Sequence, residues 1–123
     1  MAGYPGLLLR VLAGKDLAMG PGKARLVSLI DDTGSISAAA RTMNMSYRRA
    51  WQLVDALNRS FSEPVVVTAV GGRRGGGAAV TDFGRRLVAS YHDMEQKASD
   101  AIAADLVEFS SHLKERSPRR RGR

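Results

Sequence analysis

The chain has 123 residues, room for one domain, and no apolar run long enough to span a bilayer. Cysteine is absent, which excludes disulfides and thiolate metal ligands and suits a reducing compartment. The formal net charge is +7, so the expected partner is a polyanion.

Six basic residues crowd the last ten positions, KERSPRRRGR, and mark a tail without a fixed fold over residues 114–123. At the other end, MAGYPGLLLRVLAGKD lacks the basic-then-apolar order and cleavage site of a secretory signal. The expected location is therefore cytoplasmic, with no membrane partner. Residues 7–11, LLLRV, read equally well as a strand or as the first turns of a helix. Gly14, Gly20, Pro21 and Gly22 then break the chain.

A first helix is predicted over residues 21–33, with proline in its first turn and Gly34 stopping it at positive φ. Leu26, Leu29 and Ile30 share its apolar face and Val27 borders it. A short second helix follows, capped by Ser35 or Ser37. Ile36, Ala39, Ala40 and Met43 form its inner face, and the small residues let a neighbour approach closely. Asn44 suits the tight connection because asparagine tolerates the left-handed region. Ser46 caps a third helix over residues 47–61. Ala50, Val54, Leu57 and Phe61 make its buried stripe, and Trp51 is expected to cover one edge of the core. Arg48, Arg49, Gln52, Asp55 and Arg59 take the other side.

Pro64 ends that helix, and the β-branched run at 65–70 reads as a strand. The turn GGRRGGG carries Arg73 and Arg74 at its tip, and residues 78–80 return as the second strand. Thr81 or Asp82 caps a last helix reaching about residue 112, roughly 45 Å long. Its stripe outruns a domain of this size. Tyr91, Met94, Ala98, Ile102, Leu106, Phe109 and Leu113 are therefore expected to meet the same helix of a second copy.

Two short helices joined by a tight turn, then a basic hairpin, predict a mainly α fold with a small β hairpin. This is a winged helix-turn-helix domain plus a long C-terminal dimerisation helix. Residues 1–81 would form the DNA-binding domain and residues 82–113 the dimerisation helix. The second helix of the pair enters the major groove in such proteins, so Ser46, Tyr47, Arg48, Arg49 and Gln52 are the candidate contacts. Arginine grips guanine bidentately and glutamine does so with adenine. Tyr47 either packs against the helix pair or lies on a phosphate. Asp55, repelled by phosphate, is expected to point away or to orient an arginine. Arg73 and Arg74 suit a phosphate ridge or the minor groove. The glycine-rich turn lacks the GK[ST] ending of a phosphate-binding loop. His92 and His112 lie about 30 Å apart along the last helix and cannot share a metal within one chain. No enzyme, cofactor or metal site is expected.

The segments GSISAAARTMNMSYRRAWQLVDALN and EPVVVTAVGGRRGGGAAVTDFGRRLVASY resemble the DNA-binding domain of bacterial molybdate-responsive regulators, the ModE family, with the LysR-type regulators as wider relatives. The combination of SYRRAW, GGRRGGGA and T-x-x-G-x-x-L is specific to the molybdate group, and the likeness covers roughly residues 7–113. The resemblance implies a winged-helix homodimer on an inverted-repeat operator in double-stranded DNA, acting at the bacterial nucleoid. Ser46, Tyr47, Arg48 and Trp51 match the start of the family's recognition helix, and Arg73 and Arg74 its wing. The family's molybdate-binding domains have no counterpart in these residues, so no small-molecule effector is expected within this chain. A basic architectural or RNA-binding protein, and a protein-binding adaptor, are the competing functions.

Overall fold

The computed structural model describes residues 6–68 and 77–114. The wing tip with Arg73 and Arg74, and all but the first residue of the basic tail, lie outside the described residues. Two strands, β1 (Val11–Ala13) and β2 (Asp16–Met19), precede three helices, α1 (Pro21–Thr33), α2 (Ile36–Thr42) and α3 (Tyr47–Ser60). A second pair of strands follows, β3 (Val66–Thr68) and β4 (Ala78–Val80), and then α4 (Asp82–Ala101) and α5 (Ala103–Ser110). The fold is mainly helical with a winged helix-turn-helix order, as the sequence predicts.

The ambiguous amino-terminal run resolves into an antiparallel hairpin of β1 with β2 that the sequence reading did not foresee. Gly14 makes its turn at φ +65°, where residues with a Cβ are strained. Met19 and Ala18 are buried and the rest of the hairpin is largely exposed.

The core lies where α1, α2 and α3 meet. Leu26, Val27 and Ile30 face Ile36, Ala39 and Ala40, and Ala50, Val54 and Leu57 complete the three-helix contact. Val27 is inside and Leu29 only half-buried, the reverse of their expected ranking. Alanine at 39, 40 and 50 leaves backbone close to backbone, which fixes the crossing of α2 and α3.

β3 pairs antiparallel with β4, Val66 opposite Val80 and Thr68 opposite Ala78. The Ala78 N–H donates to the Gly34 carbonyl over 3.0 Å, tying β4 to the end of α1. The Thr81 hydroxyl caps α4 by accepting from the Gly84 N–H over 2.8 Å and donates to the Pro64 carbonyl over 2.7 Å. Gly84 has a packing role. A Cβ there would stand 2.5 Å from the Val65 carbonyl oxygen and 2.9 Å from Val80 Cγ1. Arg85 adds a bridge from α4 to Asp31 of α1, with Nε 3.2 Å and the nearer terminal nitrogen 3.1 Å from the carboxylate.

α4 buries Gly84, Val88 and Tyr91 in this core. Tyr91, which its spacing places on the dimer stripe, is only 1% exposed and belongs to the chain's own core. Its hydroxyl donates to the Leu9 carbonyl over 2.6 Å and pins the amino-terminal segment to α4. The predicted single last helix is interrupted at Ile102, which has φ −109° and ψ +13°. Hydrogen bonding continues across the join, from Leu106 N–H to the Ile102 carbonyl. α5 contains no buried residue, so the winged domain does not cover the end of the stripe.

Two predictions follow from this packing. Gly84→Ala favours helix by propensity but drives a methyl into the Val65 carbonyl. Crowding of this kind costs about 1–3 kcal/mol, and the thermal midpoint should fall; a rise would show that the wing yields freely. The second concerns the Tyr91 phenol, pushed up to about 12 by burial and by neighbouring Glu95. In the unfolded chain a phenol ionises near pH 10. The folded state's preference for the neutral form is therefore fully stabilising below pH 10 and is lost as the pH climbs to 12. Tyr91→Phe should flatten the fall in stability across that window, read by urea unfolding at successive pH values. Identical slopes in both proteins would assign the loss elsewhere.

Candidate nucleic-acid interface

The turn between α2 and α3 is built from backbone hydrogen bonds. Met45 N–H reaches the Ala40 carbonyl over 3.0 Å and Asn44 N–H reaches the Arg41 carbonyl over 3.1 Å. Asn44 sits at φ +57°, the left-handed residue this helix ending requires. Ser46 then opens α3, its hydroxyl accepting from the Arg49 N–H over 3.0 Å. In the same way Ser35, rather than Ser37, caps α2 by accepting from Ala38.

The first two turns of α3 present Tyr47, Arg48, Arg49, Trp51 and Gln52 to solvent. Tyr47 is 54% exposed and Trp51 45%, so neither is a core residue. For Trp51 this corrects the expectation of an indole covering the core edge. Ala50 and Val54 take the core positions on either side of it in sequence, and Trp51 stands off their row.

The helix has two distinct flanks. On one, Asn58 grips β3, its amide oxygen accepting from Val65 N–H over 2.8 Å and Val66 N–H over 3.1 Å. Its amide nitrogen donates to the Val66 carbonyl over 2.9 Å. Trp51 lies seven residues before Asn58, about two turns, so the indole shares the flank that turns toward the wing strands. The other flank nears α1. There Lys23, a residue the sequence reading passed over, is buried with its ammonium 2.6 Å from the Leu17 carbonyl. Burial, then the positive charges of Arg49 and Arg59, hold its pKa below the usual lysine value, with Asp16 opposing them.

Between the flanks, Asp55 accepts from Arg59 Nε over 3.0 Å. The one acidic group of this helix is thus engaged with an arginine, as its expected role requires. Arg48 and Gln52 make no side-chain hydrogen bond among the described residues. The face has the chemistry of a polyanion-binding surface with planar guanidinium and amide groups ready for base edges.

His92 pairs with Glu95 on the exposed surface of α4, and His112, just past the end of α5, pairs with Glu108. Among the described residues, no group of three or more His, Asp or Glu side chains is placed to hold a metal ion. No helix among them is long and apolar enough to cross a membrane.

The fold and this exposed second helix define a winged helix-turn-helix protein. The family model for bacterial regulatory helix-turn-helix proteins of the lysR family matches residues 23–85, and the chain belongs to that family. The Molybdenum transport protein ModE of Azotobacter vinelandii is 42% identical over 96 residues, 76% of this chain and 36% of that protein. The Molybdenum-pterin-binding protein MopB of Rhodobacter capsulatus is 45% identical over 70% of this chain and 32% of its own length. The DNA-binding transcriptional dual regulator ModE of Escherichia coli K12 is 33% identical over 80% of this chain and 39% of its own. The chain thus spans between about a third and two-fifths of the length of these relatives.

Proposed function

We propose that the chain is a transcriptional regulator that binds double-stranded DNA sequence-specifically, as a homodimer on an inverted repeat. The observation that carries the reading is the exposed start of α3, set by the Asn44 turn and the Ser46 cap. Arg48 and Gln52 would read base edges, and Ser46, Tyr47 and Arg49 would hold phosphates. Arg73 and Arg74, between β3 and β4 in sequence, would add backbone contacts. No small-molecule effector, cofactor or membrane would act through these residues, and molybdenum belongs to the relatives that are named for it.

Support for the dimer comes from the end of the chain's last helices. Met94 is exposed on α4, and Phe109 and Leu113 are 65% and 59% exposed on and just after α5. Val107, absent from the predicted stripe, is 73% exposed. Ala98, Ile102 and Leu106 are half-buried between them. Apolar side chains gathered on one helical segment, with no cover from their own domain, call for a partner of the same kind. A two-fold axis through this segment would place two α3 helices on one side of the duplex, about 34–36 Å apart or a multiple of that.

Selection of preferred duplexes from a random pool tests the reading directly. Arg48→Ala should cost about 1–3 kcal/mol on the selected duplex and less on random DNA. Equal losses on both would reduce Arg48 to a phosphate contact, and a pool with no preferred sequence would refute sequence-specific binding. Sedimentation addresses the dimer. Leu106→Asp with Phe109→Asp should give a folded single-chain species with weakened binding to the paired site. A wild-type protein that sediments as one chain at micromolar concentration and binds that site fully would refute the dimer.

A further inference from the structure

We propose that Trp51 determines specificity by covering the 5-methyl group of a thymine in the major groove, beside the base pairs that Arg48 and Gln52 read. The inference rests on the DNA-binding reading above and deepens it. The indole is 45% exposed on a helix face otherwise made of a tyrosine, arginines, a glutamine and a paired aspartate. It has no role in the core, which Ala50, Val54 and Leu57 supply from this helix. Indole carries one N–H donor and a broad apolar surface. Among the base edges of the major groove the one apolar feature is the thymine methyl.

The position on the helix fits that chemistry. Trp51 is one turn beyond Tyr47 and one residue before Gln52, on the flank that Asn58 holds against β3. An A·T pair presents adenine N6 and N7 to an amide and the methyl of its thymine in the same groove. Gln52 and Trp51 are adjacent residues of complementary type, an amide for the adenine edge and an indole for the methyl of the same or the next pair. Arg49, across the helix near Lys23, is left for the backbone.

Replacing each thymine of the selected duplex in turn by deoxyuridine removes the methyl and nothing else. The wild-type protein should lose roughly fourfold in affinity at one or two positions, the effect of one buried methyl group. Trp51→Ala should bind thymine and uracil duplexes equally, at the level of the wild type on the uracil duplex. Its thermal unfolding should match the wild type, since the side chain lies outside the core. Trp51 is the single tryptophan, so its emission in the unaltered protein reports the contact as well, and it should change when the thymine duplex saturates the protein. Uracil tolerated at every position, unchanged emission, or a variant that still discriminates would overturn the inference. An effect of Trp51→Ala that is equal on thymine, uracil and random duplexes would assign the indole to a phosphate and overturn it too. A pool without any preferred duplex would refute the DNA-reading proposal itself, and this inference with it.

Discussion

One side-chain amide, that of Asn58, joins the two halves of the domain. The chain leaves α3, turns through residues 61–64 and enters β3 with the N–H groups of Val65 and Val66 and the Val66 carbonyl facing helix rather than another strand. Asn58 supplies the hydrogen bonds that a neighbouring strand would have supplied. Without it, buried N–H groups would be stranded at considerable cost. Everything downstream inherits this placement. Val66 sets the register with Val80, the Val65 carbonyl receives Thr81 N–H, and Thr81 starts α4. The outward face of α3 and the wing strands are therefore positioned by the same short contact.

Much of this was legible in the sequence because the signals are local. Gly34 ends α1 at positive φ, Asn44 makes the turn in the same region, and Ser46 caps α3. Each is a case of one residue meeting one backbone requirement. The misreadings have a common origin in tertiary context. The β1–β2 hairpin has strands of three and four residues and no alternation, so only its packing against the helices defines it. In α4 the buried positions are 84, 88 and 91, a row led by a glycine, which hydrophobicity alone cannot find. Tyr91 fits both the core and the outer stripe by spacing, and the Leu9 carbonyl decides for the core.

The face of α3 shows a similar division. That Arg48, Arg49 and Gln52 are exposed follows from the stripe opposite them. That Trp51 joins them does not, because tryptophan at the border of a stripe is more often inside. What moves it out is its place on the helix, about 100° around from Ala50 and beyond the buried row of Ala50, Val54 and Leu57. Lys23 is the complementary case, a charge that belongs outside by composition and is held inside by the Leu17 carbonyl. Burial, then the positive charges of Arg49 and Arg59, lower its pKa, and Asp16 works against them.

The missing side chain at residue 84 has a mechanical meaning. α4 rests directly on the backbone of Val65, with no flexible group between helix and wing to absorb a change of angle. Arg85 bridges to Asp31 across that contact from the α1 side. The first turn of α4 is thus a rigid bearing, and the first place along the last helices where the helical backbone departs from α geometry is Ile102, some five turns away. In a dimer joined through the far end, the distance between the two α3 helices would depend on the backbone at Ile102. The bearing at Gly84 would carry that setting unchanged to the groove-facing surface.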